Sequence, residues 1–304
     1  MDYVLKTNNI CKKYRNYKAL NGLTMNVPKG SIYGFVGRNG AGKTTLIRMI
    51  CGIQFPTSGG FELYGVNNSD NKISEIRRRI GAVVETPSVI TYLTARENLE
   101  IQYDIMGLPD YSDIDQLLEL VGLNNTGSKL VKNFSLGMRQ RLGIAVSLCG
   151  SPDFLVLDEP INGLDPQGII EMRELILKLN REKNITILIS SHILDELSKI
   201  ATHYGFINNG QIVREMSAEE LQNECRKCIR IKVTDTSVLT RVLDEMGMDY
   251  KVIDKENADI YGSPDITDLA LSLWEGKCRI ITVSEHDEDL EGFFISLVGG
   301  GSNE

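Results

Sequence analysis

The 304-residue sequence lacks long hydrophobic runs: no stretch of about 18 apolar residues is uninterrupted. Its first residues, Met1–Lys6, also lack the charged and apolar blocks of a secretory signal peptide. We therefore expect neither a membrane-spanning helix nor a cleaved leader, and we expect the protein to stay in the cytosol.

Basic charge is also scarce. The chain has 33 Lys and Arg against 41 Asp and Glu, which gives a formal net charge of −8. Sequence-independent binding to nucleic acid needs a basic stripe that displaces counterions. The one dense basic run, Arg77–Arg79, is short and is expected to be a solvated helix face. No nucleic-acid partner is predicted.

Cysteines are few, and only Cys225 and Cys228 of the six form a Cys-x-x-Cys pair. No second pair follows and no histidine lies nearby, so neither a zinc site nor a redox centre is expected. Without a secretory signal, the cysteines are predicted to be free thiols in a reducing compartment.

Apolar patterning predicts an α/β architecture. The partial alternation between Tyr3 and Val27 suits an antiparallel layer with one buried face. Short apolar runs such as Phe154–Leu157 and Ile185–Ile189 suit buried strands of a parallel sheet that helices cover. Between about residues 86 and 150 the apolar period is helical, which predicts an inserted helical subdomain.

A two-residue turn marks the end of the first domain. Asn209-Gly210 lies between two apolar runs and predicts a hairpin, which closes a domain over residues 1–219. Residues 220–304 follow with the order strand, helix, strand, strand, helix, strand, and with a last helix from Asp289 to Leu297. This order predicts a small α+β domain that is ferredoxin-like.

The segment Gly37–Thr44 matches G-x-x-x-x-G-K-[ST] and follows the apolar strand Ile32–Val36. In such a P-loop, backbone amides and a helix amino terminus face phosphates. Lys43 is predicted to neutralise the β- and γ-phosphates, Thr44 to bind Mg²⁺, and Thr45 to reach the α-phosphate. The predicted ligands are ATP and Mg²⁺, and the nucleotide-contacting residues are Gly37, Arg38, Asn39, Gly40, Ala41, Gly42, Lys43, Thr44 and Thr45.

Two further strands end in groups that suit phosphate chemistry. Asp158 and Glu159 follow Phe154–Leu157 at the edge of the sheet where α/β folds bind ligands. Asp158 is predicted to hold hydrated Mg²⁺, and Glu159 to accept a proton from the attacking water or to orient it. His192 ends the next strand and is predicted to stabilise charge that develops on the γ-phosphate; a structural histidine is the alternative.

Between these motifs the chain resembles the ABC ATPase family. Ser135–Met138 is similar to that family's signature, a serine and a glycine that open a helix, and Asn162–Asp165 is similar to its D-loop. Tyr14 resembles the aromatic residue that stacks on adenine, with an ordinary strand tyrosine as the alternative. The resemblance covers about residues 3–217 and includes five motifs in the family's order.

The resemblance implies a P-loop NTPase of ABC type, with a parallel-sheet core, an antiparallel β layer and a helical subdomain. It implies an ATPase on the cytoplasmic side of the cell membrane, bound there through a separate integral-membrane permease. It also implies a head-to-tail dimer with a second copy. Ser135, Gly137 and Asp165 of one copy would then join the phosphate site that Gly37–Thr45 forms in the other.

The sequence also departs from the family's pattern. Glu85 occupies the place where most relatives have a glutamine that binds Mg²⁺ and water, so it adds negative charge near the triphosphate. Leu136 and Met138 replace a glycine and a glutamine of many relatives. Glu85, the following Thr86–Leu93 and the ending Asp289–Phe294 resemble the bacitracin and lantibiotic resistance branch, whose members export antimicrobial peptides or drugs or clear them from the membrane.

Three rival functions stay open. A soluble ABC protein that acts on ribosomes or DNA is disfavoured by the single P-loop and the missing coiled-coil insert, and an importer subunit by the mixed α/β tail. A regulator that binds ATP and hardly hydrolyses it is disfavoured by Glu159 and His192, although Glu85 keeps it open. Pro87–Leu99 is expected to receive the coupling helices of the permease, with internal packing as its alternative.

Overall fold

The computed structural model describes residues 2–225, 228–262, 264–286 and 290–299. The chain divides into two compact units, Met1–Ala218 and Glu219–Glu304. Within the described residues, no helix combines the length and the apolar character that crossing a membrane requires. All six cysteines belong to the described residues, and none of them forms a disulfide bond.

The first unit alternates strands and helices after an opening run of strands. Its strands are β1 (Tyr3–Tyr14), β2 (Tyr17–Leu23), β3 (Asn26–Pro28), β4 (Ile32–Val36), β5 (Ser58–Leu63), β6 (Val66–Asn67), β7 (Ile80–Val83), β8 (Phe154–Asp158), β9 (Thr186–Ser191), β10 (His203–Asn208) and β11 (Gln211–Ser217). Its helices are α1 (Lys43–Ile50), α2 (Ile73–Ile76), α3 (Ala95–Met106), α4 (Ile114–Leu120), α5 (Leu136–Leu148), α6 (Pro166–Lys183) and α7 (Leu194–Ser198).

A six-stranded sheet with the order β11-β10-β4-β9-β8-β7 forms the centre of this unit. All its neighbouring strands are parallel except β10 and β11. Every residue of β4, β8 and β9 is buried, as their uninterrupted apolar runs require. Because these three strands are adjacent and parallel, the segments that follow them meet at one edge of the sheet.

An antiparallel layer packs beside the parallel sheet. Its order is β2-β1-β5-β6, with β3 paired to β1. One hydrophobic core joins this layer to α1 and to the parallel sheet, and it includes Leu5, Leu23, Leu46, Ile47 and Phe154. The P-loop helix α1 therefore packs in one core with both the antiparallel layer and the parallel sheet.

The segment between β7 and β8 is helical, in agreement with its apolar period, and contains α3, α4, α5 and two turns of 3₁₀ helix. Thr94 begins α3 with a reciprocal capping box, in which its side chain accepts from the Glu97 backbone and Glu97 binds back to the Thr94 backbone. Pro87 lies against Gly143 of α5, where an added Cβ would approach it to 2.6 Å. Close packing thus holds α5 against the loop that follows β7.

Two local predictions have different outcomes. The hairpin is confirmed: Asn208 pairs with Gln211, and both turn residues, Asn209 and Gly210, have left-handed backbones with φ of 48° and 75°. The solvated helix face expected of the arginine run is wrong for Arg77. That side chain is partly buried, and its Nε donates to the carbonyl of the last α1 residue at 3.0 Å.

The second unit is a four-stranded sheet with helices. Its elements are α8 (Ala218–Glu224), β12 (Cys228–Val233), α9 (Thr236–Glu245), β13 (Asp249–Val252), β14 (Asn257–Tyr261), α10 (Ile266–Glu275), β15 (Ile280–His286) and α11 (Leu290–Gly299). The sheet is antiparallel with the order β13-β14-β12-β15. A separate core joins it to α9 and α10. The element order agrees with the sequence, whereas the ferredoxin-like assignment stays a prediction, and Asp289 lies outside the described residues.

Candidate functional site: a phosphate-binding loop with two acidic strand ends

The P-loop occupies the turn between β4 and α1, and close contacts require two of its three glycines. A Cβ on Gly37 would lie 2.5 Å from Ile207, and one on Gly42, where φ is 113°, would lie 2.6 Å from the Ala19 carbonyl. At Gly40, with φ of 82°, an added Cβ would meet no atom within 4 Å. The loop is therefore held tightly against the fold at both ends and is open in its middle, where a ligand can approach its backbone.

A cavity of about 260 Å³ lies over this loop. Its lining contains most of the residues that the sequence predicted, together with two that it missed, Tyr17 and Ala19. A larger cavity of about 650 Å³, beside α4 and the end of α6, contains none of the predicted site residues. The lining of the smaller cavity is Tyr14, Tyr17, Ala19, Arg38, Asn39, Gly40, Gly42, Lys43, Thr44, Thr45 and Glu159.

Lys43 is the buried cation of the site, with 5% of its side chain exposed. Its Nζ donates to the carbonyls of Gly37 at 2.5 Å and Arg38 at 3.4 Å, and it lies 3.1 Å from Glu159 Oε1. Within the described chain that buried oxygen accepts no well-directed hydrogen bond, so the contact is an ion pair with unused acceptor capacity. Any anion in the P-loop competes with Glu159 for Lys43.

Ser190 positions the two carboxylates at the end of β8. Its fully buried Oγ donates to Asp158 Oδ1 at 2.5 Å and accepts from the Glu159 backbone N–H at 3.0 Å. The sequence missed this role, although a serine at the end of a buried apolar strand signals a polar partner. Glu159 itself has φ of 52°, a left-handed conformation that is uncommon outside glycine and marks a constrained position.

His192 completes this group. Its Nδ1 lies 2.8 Å from Glu159 Oε2, and because an ionised carboxylate only accepts hydrogen bonds, Nδ1 is the donor. The sheet thus brings the P-loop lysine, the acidic end of β8 and the histidine after β9 into one connected set. Glu159 lies at its centre and contacts both Lys43 and His192.

Two tyrosines of the β1–β2 hairpin border the cavity. Tyr14 donates from its hydroxyl to Gln54, and Lys12 Nζ lies 5.2 Å from the centre of its ring. Tyr17 donates to the Gly40 carbonyl of the P-loop at 3.0 Å. Both residues are partly exposed, at 41% and 57%. The sequence feature that could have identified Tyr17 is its position in the same hairpin as Tyr14, as a second tyrosine.

The signature and D-loop residues form a second cluster. Ser135 caps α5 by accepting from a backbone N–H at 3.2 Å, and Asp165 caps α6 in the same way at 3.0 Å. A Cβ on Gly137 would meet Leu164 at 3.7 Å, so the two segments are neighbours. In the described part of the chain, the lining of the P-loop cavity includes none of the three residues Ser135, Gly137 and Asp165.

Glu85 also lies outside the cavity lining. Its Oε1 is bound to Nη2 of Arg48 on α1, and 55% of its side chain is exposed. Its backbone has φ of 62°. The structure therefore pairs Glu85 with an arginine instead of grouping it with Asp158 and Thr44.

The oxygen groups of the site fit hydrated Mg²⁺ together with a triphosphate. Magnesium favours oxygen ligands, keeps several waters, and binds through one or two carboxylates plus phosphates. Thr44 in the first turn of α1, the buried Asp158 carboxylate and the unused acceptor on Glu159 supply such groups. In the described part of the chain, no three His, Cys, Asp or Glu side chains form a metal cage of their own.

A phosphate-binding loop with a buried lysine, beside two carboxylates on a parallel sheet, defines a P-loop ATPase. Residues 20–162 match the family model described as ABC transporter. The bacitracin transport ATP-binding protein BcrA of Bacillus licheniformis is 43% identical over 305 residues, which cover 99% of each chain. The lantibiotic transport ATP-binding protein SrtF of Streptococcus pyogenes is 43% identical over 72% of this chain and 93% of its own.

A solved structure has the same cassette fold. The dimeric structure of MJ0796, a bacterial ABC transporter cassette, has a TM-score of 0.63 and 25% identity, and the match covers 70% of this chain and 98% of that one. The chain belongs to the family of ABC transporter ATP-binding proteins. It binds and hydrolyses ATP as the ATPase of an ABC exporter, and its relatives do not favour a non-transport role.

Proposed function

We propose that this chain powers an exporter for bacitracin-type or lantibiotic-type antimicrobial peptides, and that it acts on a separate membrane permease from the cytoplasmic side of the membrane. The observation that carries the proposal is the match to the bacitracin transport protein over both units of the chain. Because that match covers 99% of this chain, it includes residues 219–304 as well as the cassette.

In the proposed reaction, Lys43 exchanges Glu159 for phosphate oxygens when ATP enters the P-loop. This exchange frees a carboxylate that lies at the catalytic edge of the sheet, where it accepts a proton from the attacking water or orients it. His192 holds one oxygen of that carboxylate at 2.8 Å, so it limits how the group can rotate. Thr44 and Asp158 would hold Mg²⁺, which supplies charge neutralisation for the phosphates.

We further propose a head-to-tail dimer. The P-loop cavity is open, and the cluster of Ser135, Gly137 and Asp165 contributes nothing to its lining within the described residues. A second copy placed head to tail would bring that cluster to the phosphates, with the amino terminus of α5 directed at negative charge. The MJ0796 cassette structure is dimeric, which supports dimerisation.

The permease would dock at a groove of about 390 Å³ between β7 and the helices that follow it. Val84, Thr86 and Ser88 line one side, and Gln102 and Met106 of α3 line another. The segment expected at this interface, Pro87–Leu99, has two kinds of residues. Ala95 and Leu99 are buried and serve internal packing, whereas 71% of Tyr92 is exposed, so only part of the segment is available to a partner.

The test measures the inhibitory concentrations of bacitracin and several lantibiotics for cells that lack the gene, complemented with wild type, Glu159→Gln or Glu182→Gln. Glu182 is an exposed residue near the end of α6 and serves as a matched control. We expect wild type and Glu182→Gln to restore resistance and Glu159→Gln to fail. Equal sensitivity in all strains would overturn the peptide assignment and leave the ATPase assignment standing.

A further inference from the structure

One tyrosine of the site contacts the backbone of the P-loop. Tyr17 begins β2 and lines the cavity, and its hydroxyl donates to the Gly40 carbonyl at 3.0 Å. Two residues further along β2, the Ala19 carbonyl lies where a Cβ added to Gly42 would approach it to 2.6 Å. The strand therefore contacts the loop at two points, once through a side chain and once through its backbone.

The carbonyl oxygens of a phosphate-binding loop have to point away from the anion, because it is the backbone N–H groups that attract negative charge. Lys43 Nζ holds the first of these carbonyls, that of Gly37, at 2.5 Å. Near the other end, the Gly210 N–H donates to the Ala41 carbonyl at 3.0 Å. The hydroxyl from β2 holds the Gly40 carbonyl between them. It therefore belongs to a set of donors that fix which way the peptide groups of the loop face.

Packing restrains Gly40 less than the other two glycines of the loop. Its backbone has φ of 82°, the residue is exposed, and an added Cβ would meet no atom within 4 Å. Glycine loses more conformational freedom on ordering than any other residue. A hydrogen bond that fixes this peptide group before a ligand arrives lowers the ordering cost of binding, and so raises affinity without touching the ligand.

The hydroxyls of the two hairpin tyrosines bind different parts of the fold. Tyr14 and Tyr17 are paired across the turn, but the Tyr14 hydroxyl donates to Gln54, which follows α1. We propose that Tyr17 is a positioning residue for the P-loop, and that its hydroxyl prepares the loop for the phosphate chain of ATP independently of the base. The proposal needs only the ATP site of the chain, and not the peptide, permease or dimer of the proposed function.

The experiment measures the affinities of the purified full chain for the non-hydrolysable nucleotide AMP-PNP and for inorganic tripolyphosphate, which has no base or sugar. Both are measured by competition with a fluorescent ATP analogue at fixed Mg²⁺. Tyr17→Phe keeps the ring and removes only the hydroxyl. We expect it to weaken both ligands by the same factor, about two- to tenfold, which corresponds to one neutral hydrogen bond. Tyr17→Leu should weaken tripolyphosphate no further, because the loop has already lost its donor in Tyr17→Phe.

Tyr111 provides the matched control. It is similarly exposed, at 43%, and its hydroxyl donates to Asp104 at 2.6 Å outside the cavity lining. Tyr111→Phe removes a hydroxyl that makes one hydrogen bond elsewhere in the fold, so it should leave both affinities at the wild-type values.

A loss of AMP-PNP affinity in Tyr17→Phe with unchanged tripolyphosphate affinity would overturn the proposal, because the hydroxyl would then act on the base or the sugar. Wild-type affinities with a change in thermal stability alone would also overturn it. So would a wild-type chain that binds AMP-PNP but not tripolyphosphate, because a prepared loop has to bind phosphates without a base. Failure of AMP-PNP to bind the wild type would instead refute the ATP site, so the two failures are distinguishable.

Discussion

Replacement of Ser190 by alanine tests the link between the sheet and the two carboxylates. The fully buried Oγ makes one hydrogen bond to the Asp158 carboxylate and receives one from the Glu159 backbone. A hydrogen bond to a charged group contributes about 1.5–3 kcal/mol. The Glu159 N–H keeps a second acceptor in the variant, the Ser190 backbone carbonyl at 3.1 Å. We therefore expect Ser190→Ala to lower the free energy of unfolding by about 1.5–3 kcal/mol, the contribution of the lost hydrogen bond to Asp158.

Ser191→Ala is the matched control, since Ser191 is equally buried and its Oγ accepts from Ile193 N at 2.9 Å without touching either carboxylate. Urea unfolding compares the stabilities, and ATPase assays across a Mg²⁺ series compare the sites. Loss of an outer-shell partner of a metal ligand typically costs about 10–100-fold in metal affinity or activity. We therefore expect Ser190→Ala, and not Ser191→Ala, to need at least about tenfold more Mg²⁺. Equal stabilities and unchanged Mg²⁺ dependence in the two variants would refute this reasoning.

Three further predictions address other parts of the chain. Glu85→Gln should retain ATPase activity, measured as phosphate release, and complete loss of turnover with intact ATP binding would contradict the account of this residue. Tyr92→Asp should reduce co-purification with the permease while sparing nucleotide binding, and unchanged recovery would count against docking of the permease at Pro87–Leu99. Burial raises the pKa of Cys51 to about 12 and that of Cys149 to about 11, so about one thiol in a thousand or fewer is ionised at pH 8. Iodoacetamide should then modify the partly exposed Cys11 before Cys51 and Cys149, and equally rapid labelling of these three in the folded protein would contradict this.

The sequence was sufficient for features that depend on neighbouring residues. The G-x-x-x-x-G-K-[ST] pattern predicts strand, loop and helix at Ile32–Ile50 because glycines at fixed positions are needed for the tight turn. The Asn209-Gly210 hairpin is likewise local, since each residue must adopt positive φ. Apolar runs also predict which strands are buried, because a strand covered on both faces has no polar side.

The sequence was insufficient for contacts that depend on tertiary pairing. Arg48 and Glu85 are 37 residues apart, and Ser190 and Asp158 are 32 apart. The apolar periodicity predicts whether each of these four residues lies in a helix or near the end of a strand. It contains no information about which strands become neighbours in the sheet, so it cannot predict which side chains meet. The same reason explains why the prediction for Arg77 was wrong. Its position in a basic run suggests exposure to solvent, whereas its Nε donates a hydrogen bond to the carbonyl at the end of α1.

Two ion pairs near the site involve the P-loop helix α1. Lys43 at its first residue is paired with Glu159, and Arg48 in its last turn is paired with Glu85. A triphosphate in the P-loop would compete with Glu159 for the first cation. The nucleotide would therefore act at the first residue of this short helix, where it has to break an existing ion pair. Because the loop at Glu85 continues into the groove proposed for the permease, the second ion pair joins the P-loop helix to the surface at which force would be transmitted.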